Sequence, residues 1–293
     1  MRNRMIFYSL MGTLCLLFAA CGGKTERQEE ARIISVTLEP LRYFTEALAG
    51  ERFRVVSLVP KGSSPETYDP TPRQLVDLGK SEAYIRIGYI GFEQVWMERL
   101  EANAPNMRVF DASQGIDVIR QSESHIGHQH EGGVEPHLWN STVNARQIAS
   151  NVCKALCELD SIHAGEYRQR LDSLDRVIQS TDSVIRSLLT EGDEAFLIYH
   201  PALSYFARDY GLIQIPIEQD GKEPSAAYLK KLVDMCRCQS IKVIFVQPEF
   251  DEHIAEIIAS QTHTQVRPIN PLAYNWPEEM IAVARALHKQ EKP

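Results

Sequence analysis

Four residues with metal-ligand side chains stand just past the ends of expected strands. Glu66 lies in the loop after a strand over 53–59, and His137 closes a long loop after the fourth strand. His200 directly follows strand 195–199, and Asn270 directly follows strand 265–269. In open α/β sheets, ligands collect beyond the carboxyl ends of the strands. Two imidazoles and a carboxylate from separate strand ends can therefore meet in one cleft. Zinc accepts such a set, with four tetrahedral ligands at roughly 2.0–2.2 Å for nitrogen and oxygen. Taken singly, each residue has an ordinary reading: Glu66 as a solvated loop carboxylate, His137 as a loop histidine, His200 as a helix cap before Pro201.

The stretch leading to His137 adds weight to the metal reading. Residues 125–137 run His-Ile-Gly-His-Gln-His-Glu-Gly-Gly-Val-Glu-Pro-His. Short histidine-rich tracts suggest metal binding, and neutral imidazole suits zinc, copper and nickel, whereas oxygen ligands suit manganese and magnesium. His125, His128 and His130 are assigned to weak, exposed metal collection rather than to the tight site; the bland alternative is a polar loop. His163, His253, His263 and His288 have no such company and read as ordinary polar residues.

Alternating strand and helix signals must position these side chains. Strands over 32–38, 53–59, 83–88 and 107–110 alternate with helices over 41–49, 72–80 and 91–101. Thr71-Pro72 marks a helix start, a capping hydroxyl followed by Pro at the first helical position. The second half repeats the scheme, with strands over 195–199, 212–217, 241–247 and 265–269. Its helices cover 201–210, 226–236, 252–261 and 277 to about 289. This is the pattern of mostly parallel sheets flanked by helices, with each half large enough for its own core. Between the halves, Tyr167, Leu171, Leu174, Ile178, Ile185 and Leu188 recur near helical spacing with no Gly or Pro over 166–190. One long, stiff linker helix is expected. The expected division is thus a lobe over 32–162, a linker helix over 163–190 and a second α/β lobe over 191–293.

The first residues address the chain. Arg2 and Arg4 precede an apolar run that ends Leu17-Phe18-Ala19-Ala20-Cys21. This reads as a signal peptide over 1–21 whose Cys21 is lipidated, and the run is short of the roughly 20 residues a membrane span needs. Lipid chains hold a protein at the membrane surface without crossing it. Residues 22–31 are polar and read as a tether. Removing residues 1–21 takes away two arginines and no acids, so a net charge of −8 becomes −10. Nucleic acid rewards a basic patch instead, so no nucleic-acid partner is expected. Cys153 and Cys157 sit i, i+4 on an expected helix, and Cys236-x-Cys238 is cramped for pairing. Partly buried thiols or a bridge between the pairs are favoured over a four-thiolate zinc site.

Several segments resemble the metal-binding receptors of zinc and manganese ABC importers, the cluster A-I solute-binding proteins. The family's Pro-His-x-Tyr-Glu-Pro-Thr-Pro segment has its counterpart in Pro65-Glu66-Thr67-Tyr68-Asp69-Pro70-Thr71-Pro72. Its Asp-Pro-His-x-Trp corresponds to Glu135-Pro136-His137-Leu138-Trp139, and its His-Pro-Ala-Phe-x-Tyr-Phe to His200-Pro201-Ala202-Leu203-Ser204-Tyr205-Phe206. Glu223-Pro224-Ser225 and Ile244-Phe245-Val246-Gln247-Pro248 also match, and the similarity runs from Ile33 to the last helix. The resemblance implies two α/β lobes, one long linking helix and a metal held between the lobes. It also implies a membrane permease and a cytoplasmic ATPase as partners, on the extracytoplasmic, periplasmic side, with the receptor a monomer. It points to the same three ligand positions chosen from strand ends.

Two departures matter. Glu66 replaces the family's first ligand histidine, and Asn270 aligns with the aspartate that ligates metal in manganese-type members. Those members carry Glu where His200 stands, so His200 and the histidine-rich tract favour Zn2+ over Mn2+ or Fe2+. Asn270 is a weaker candidate, offering only a neutral carbonyl oxygen. Two rivals are a zinc hydrolase and a metal-binding surface adhesin. The first needs a general base beside a metal-bound water, as in a His-Glu-x-x-His helix, which the sequence lacks.

Overall fold

The structure is a computed structural model that describes residues 32–120, 133–219 and 221–288. The signal segment with Cys21, the tether over 22–31, and His125, His128 and His130 lie outside the described residues.

Strands β1 (Ile33–Val36), β2 (Arg54–Ser57), β3 (Ala83–Arg86) and β4 (Arg108–Asp111) form one parallel sheet in the order β2-β1-β3-β4. Strands β5 (Ala195–Ile198), β6 (Ile213–Pro216), β7 (Val243–Val246) and β8 (Gln265–Pro268) form a second, in the order β6-β5-β7-β8. The sequence explains the order. The central strands β5 (AFLI) and β7 (VIFV) are apolar throughout and buried at every position, as a parallel strand covered on both faces must be. The edge strands β6 (IQIP) and β8 (QVRP) are less buried, with Ile213 and Gln265 exposed at their starts and a polar residue partly exposed within each, and each ends in a proline that a central ladder would not tolerate.

Helices α1 (Glu39–Ala49), α2 (Pro72–Leu78), α3 (Gly91–Asn103) and α4 (Thr142–Leu159) cover the first sheet. Helices α6 (Ser204–Tyr210), α7 (Ala226–Cys238), α8 (His253–Thr262) and α9 (Trp276–Leu287) accompany the second. The linking helix is α5 (Ala164–Leu189), 26 residues and therefore about 39 Å long. Its inner face carries Tyr167, Leu174, Ile178, Thr181 and Ile185. Helix α6 starts three residues later than expected, because Pro201 and Ala202 belong to a turn in which the Ala202 N–H donates to the His200 carbonyl at 2.7 Å. It ends at Gly211, whose φ of +69° suits a residue without Cβ.

The halves do not pack around two separate cores. Phe44, Tyr84, Ile148 and Ile178 belong to one buried apolar cluster with Phe196, Phe245, Trp276 and Val283. A second, smaller cluster around Leu197, Ile217, Leu232 and Ile258 lies wholly within the second half. Hydrogen bonds reinforce the seam. The Trp139 indole donates to the Pro271 carbonyl and the Trp276 indole to the Trp139 carbonyl, each at 2.7 Å. The Tyr205 hydroxyl donates to the Glu135 carbonyl at 2.8 Å and accepts the Ile119 N–H at 3.1 Å.

Candidate metal centre

The loop after β2 carries Glu66 into this seam. Thr71 caps α2 in a reciprocal capping box with Gln74, which fixes where the loop ends. The Gln74 side chain also receives the Tyr68 hydroxyl at 2.6 Å and donates to the Leu58 carbonyl at 2.7 Å, bracing both ends of the loop. The Phe92 N–H, in the first turn of α3, donates to the Pro65 carbonyl at 2.9 Å. Gly91 makes this approach possible: a Cβ there would sit 2.8 Å from the Glu66 carbonyl oxygen.

His137 and His200 enter from the other sides. One ligand atom from each of Glu66, His137 and His200 falls within 4.8 Å of the others. The two Nε2 atoms are 3.3 Å apart. Each imidazole is turned by a carboxylate behind it: His137 Nδ1 bonds Glu135, and His200 Nδ1 bonds Glu218 at 2.8 Å. Glu135 and Glu218 are both buried. An ionised carboxylate only accepts, so each Nδ1 carries the proton and each Nε2 presents its lone pair to the shared space. His137 is fixed further by its own N–H, which donates to Glu135 at 3.2 Å, and Ser204 donates to the other Glu135 oxygen at 3.2 Å. Gln247 clamps the backbone of His200 from both sides, accepting its N–H at 3.3 Å and donating to its carbonyl at 2.5 Å. Phe250 stacks on the His200 ring with centroids 5.5 Å apart.

The electrostatics suit a cation. Burial opposes the charged form of His137, but the Glu135 carboxylate outweighs it, with Glu66 and Glu218 adding to the pull, and the histidine titrates above its ordinary value. Burial likewise opposes charge on Glu135, yet His137 holds it below the usual carboxylate range. A proton is thus drawn to the space between three carboxylates, and a divalent cation competes for the same place. The cavity here is about 30 Å³, room for one small ion or water and far below the several hundred Å³ of an organic-ligand site. A recess of about 710 Å³ along the β8 edge, lined by Lys242, Arg267 and Arg285 among others, is much larger but lies away from these ligands.

Asn270 is in the expected place along the chain but is used differently. Its side-chain oxygen accepts the Leu272 N–H at 3.1 Å and its own N–H donates to Glu279 at 2.7 Å. Pro271 and Leu272 line the small cavity instead, while Asn270 borders a separate recess beside Tyr274. Cys153, Cys157, Cys236 and Cys238 are free thiols, so no bridge joins the pairs. Among the described residues they join no metal-type cluster. The orienting roles of Glu135, Glu218 and Gln247 were not anticipated from sequence. Glu218 lies two residues past β6, so the strand-end rule that selected His200 would also have reached it.

The fold is thus two parallel α/β sheets joined by one long helix, with a cluster of metal-type side chains at the seam between them. The chain belongs to the family described as "Zinc-uptake complex component A periplasmic" (ZnuA), whose profile matches residues 34–289. It is 26% identical over 277 residues to the high-affinity zinc uptake system protein ZnuA of Bacillus subtilis, covering 88% of this chain and 85% of that protein. It is 24% identical to the zinc-binding lipoprotein AdcA of Streptococcus pneumoniae, over 97% of this chain but 58% of AdcA. A crystal structure of ZnuA superimposes with a TM-score of 0.81 at 35% identity, covering 87% of this chain and 97% of that one. A zinc-bound ZnuA deletion mutant gives 0.82 at 34% identity, covering 89% of this chain and 100% of that one. Members of the family are substrate-binding receptors of metal ABC transporters, not enzymes.

Proposed function

We propose that this protein captures Zn2+ through Glu66, His137 and His200 and delivers it to an ABC importer made of a membrane permease and a cytoplasmic ATPase. The observation that carries the reading is the convergence of three ligand atoms within 4.8 Å, with both imidazoles fixed Nε2-inward by carboxylates. Zinc rather than manganese follows from donor chemistry: two neutral imidazoles favour the borderline-soft ion. The relatives divide on this point, since one is a manganese ABC transporter lipoprotein, PsaA of Streptococcus mitis, 24% identical over 278 residues. Asn270, its side-chain oxygen occupied by a turn, stays outside the coordination sphere. His125, His128 and His130 gather metal weakly without forming the tight site. The protein acts as a monomer on the extracytoplasmic side, held to the membrane by lipid on Cys21 through the tether over 22–31. Residues 32–162, 163–190 and 191–293 serve as lobe, link and lobe.

The test is competitive titration of metal-free protein with zinc, manganese, iron and nickel. One equivalent of zinc is expected to bind and to displace manganese, and His200→Ala to abolish tight binding, whereas shortening 125–133 leaves it nearly unchanged. Preferential retention of manganese over zinc would overturn the assignment.

A further inference from the structure

The three ligands leave one position of a tetrahedral zinc unfilled. The walls of the cavity limit what can fill it. Apart from the three ligands, the side chains around it with an oxygen or nitrogen are Ser64, Trp139, Gln247 and Glu249. Trp139 has only a donor, already spent on Pro271. Ser64 accepts the Glu66 N–H at 3.3 Å. Gln247 is engaged at both ends of its amide by the backbone of His200. Glu249 is the remaining side chain with a lone pair to offer a metal. Its carboxylate has no side-chain hydrogen bond or ion pair among the described residues; its own amide N–H is set against it, and His200 is the titratable side chain that faces it.

The backbone holds Glu249 over the site. The Phe250 N–H donates to the Gln247 carbonyl at 3.1 Å, closing a turn over Gln247, Pro248, Glu249 and Phe250. Gln247 grips the His200 backbone and Phe250 covers the His200 ring. Glu249 therefore sits between two residues that both touch His200 and lines the same cavity, while its carboxylate as placed lies outside the 4.8 Å group formed by Glu66, His137 and His200, so that it meets an ion only by turning. We propose that Glu249 supplies the fourth ligand to the bound ion, turning from its own amide toward the cation when metal loads. The site then has two imidazoles and two carboxylates, one carboxylate from each half of the chain. This assignment rests on the metal-receptor reading above.

The experiment compares unaltered protein, Glu249→Gln and Glu66→Gln, each first shown to melt like the unaltered protein when metal-free. Zinc affinity is read by chelator competition, and the visible absorption of the cobalt(II)-loaded forms is recorded. Glu249→Gln is expected to lose at least about 10- to 100-fold in zinc affinity, the loss typical of merely supporting groups around a metal. It is also expected to change the cobalt band envelope, because a ligand atom is replaced. Unchanged affinity would overturn the assignment. So would weakened affinity with an unchanged envelope, the result of a carboxylate acting only through its charge. If the unaltered protein fails to bind one zinc, both this inference and the receptor reading fall. If it binds one zinc and only Glu249→Gln is silent, this inference falls alone.

Discussion

Gly91→Ala tests whether the Glu66 loop is held where a metal needs it. The added Cβ would lie 2.8 Å from the Glu66 carbonyl oxygen, 3.0 Å from Oε2 and 3.2 Å from Cα. Two of these atoms are backbone, so a side-chain rotation does not relieve the overlap. Reaching an ordinary contact near 3.4 Å requires the loop or the start of α3 to move by about 0.6 Å. Metal–ligand distances are held to about 0.2 Å, so the shift is roughly three times what the site tolerates. The expected result is a loss of about 10- to 100-fold in zinc affinity, or about 1.4–2.7 kcal/mol. Stability responds differently. Alanine gains up to about 1 kcal/mol over glycine in a helix, which offsets part of an overpacking cost of about 1–3 kcal/mol. Chelator competition and thermal melts with and without zinc separate the two effects. Affinity equal to that of the unaltered protein would refute the claim that this contact positions Glu66.

Three further outcomes follow from the same geometry. Glu135→Gln and Glu218→Gln each remove the charged acceptor behind an imidazole, and each is expected to weaken zinc about 10- to 100-fold in competition titrations. Zinc loading should release protons near neutral pH, because His137 titrates above its ordinary value. Affinity is then full above that raised value and falls as pH drops through it, which calorimetry in buffers of different ionisation enthalpy will register. In the metal-free protein, buried Glu93 is pushed up to about 7 by desolvation, against 4.5 for the ordinary group. A raised carboxyl binds its proton more tightly when folded, so its stability contribution is complete at acid pH and is lost as pH rises through about 7. The loss is bounded at about 3 kcal/mol, and denaturant melts at pH 5 and 8 should show the difference shrink in Glu93→Gln.

Much of the fold was legible because apolar periodicity is a local property. The all-apolar runs at β5 and β7 are central strands, and the uninterrupted stripe from Tyr167 to Ile185 is one long helix. Helix α4 was harder to trace. Its buried face includes Asn144 and Asn151, polar residues that bond the Leu138 carbonyl at 3.1 Å and the Ala112 carbonyl at 2.9 Å. Such residues blur an apolar stripe, and their partners are distant or irregular in sequence. The strand-end rule found Glu66, His137 and His200 because topology alone delivers those positions to one edge. It also named Asn270 as a weaker candidate, and here the asparagine side chain satisfies the backbone two residues on, a competition that no strand-level rule registers. For the orienting carboxylates the position was legible but the role was not: the strand-end rule reaches Glu218, yet its partner appears only when β6 is laid beside β5 and brings it to His200.

The shared core also constrains how an ion can leave. Hinged receptors open by rotating lobes about a few crossing segments. Here α5 spans the molecule without a break, and Phe44 packs on Trp276 with ring centroids 5.2 Å apart inside a cluster that belongs to both halves. Opening the lobes would expose that cluster and break the Trp139 and Trp276 hydrogen bonds together. The ligands differ in how firmly they are tied to it. His137 is buried beside Trp139, whereas Glu66 and Glu249 sit on loops whose neighbours are partly exposed. Release by movement of these two loops, with His137 left in place, disturbs only residues at the margins of the clusters, Tyr68 on the first and Phe250 on the second. The lower-cost route therefore runs through the carboxylate side of the site.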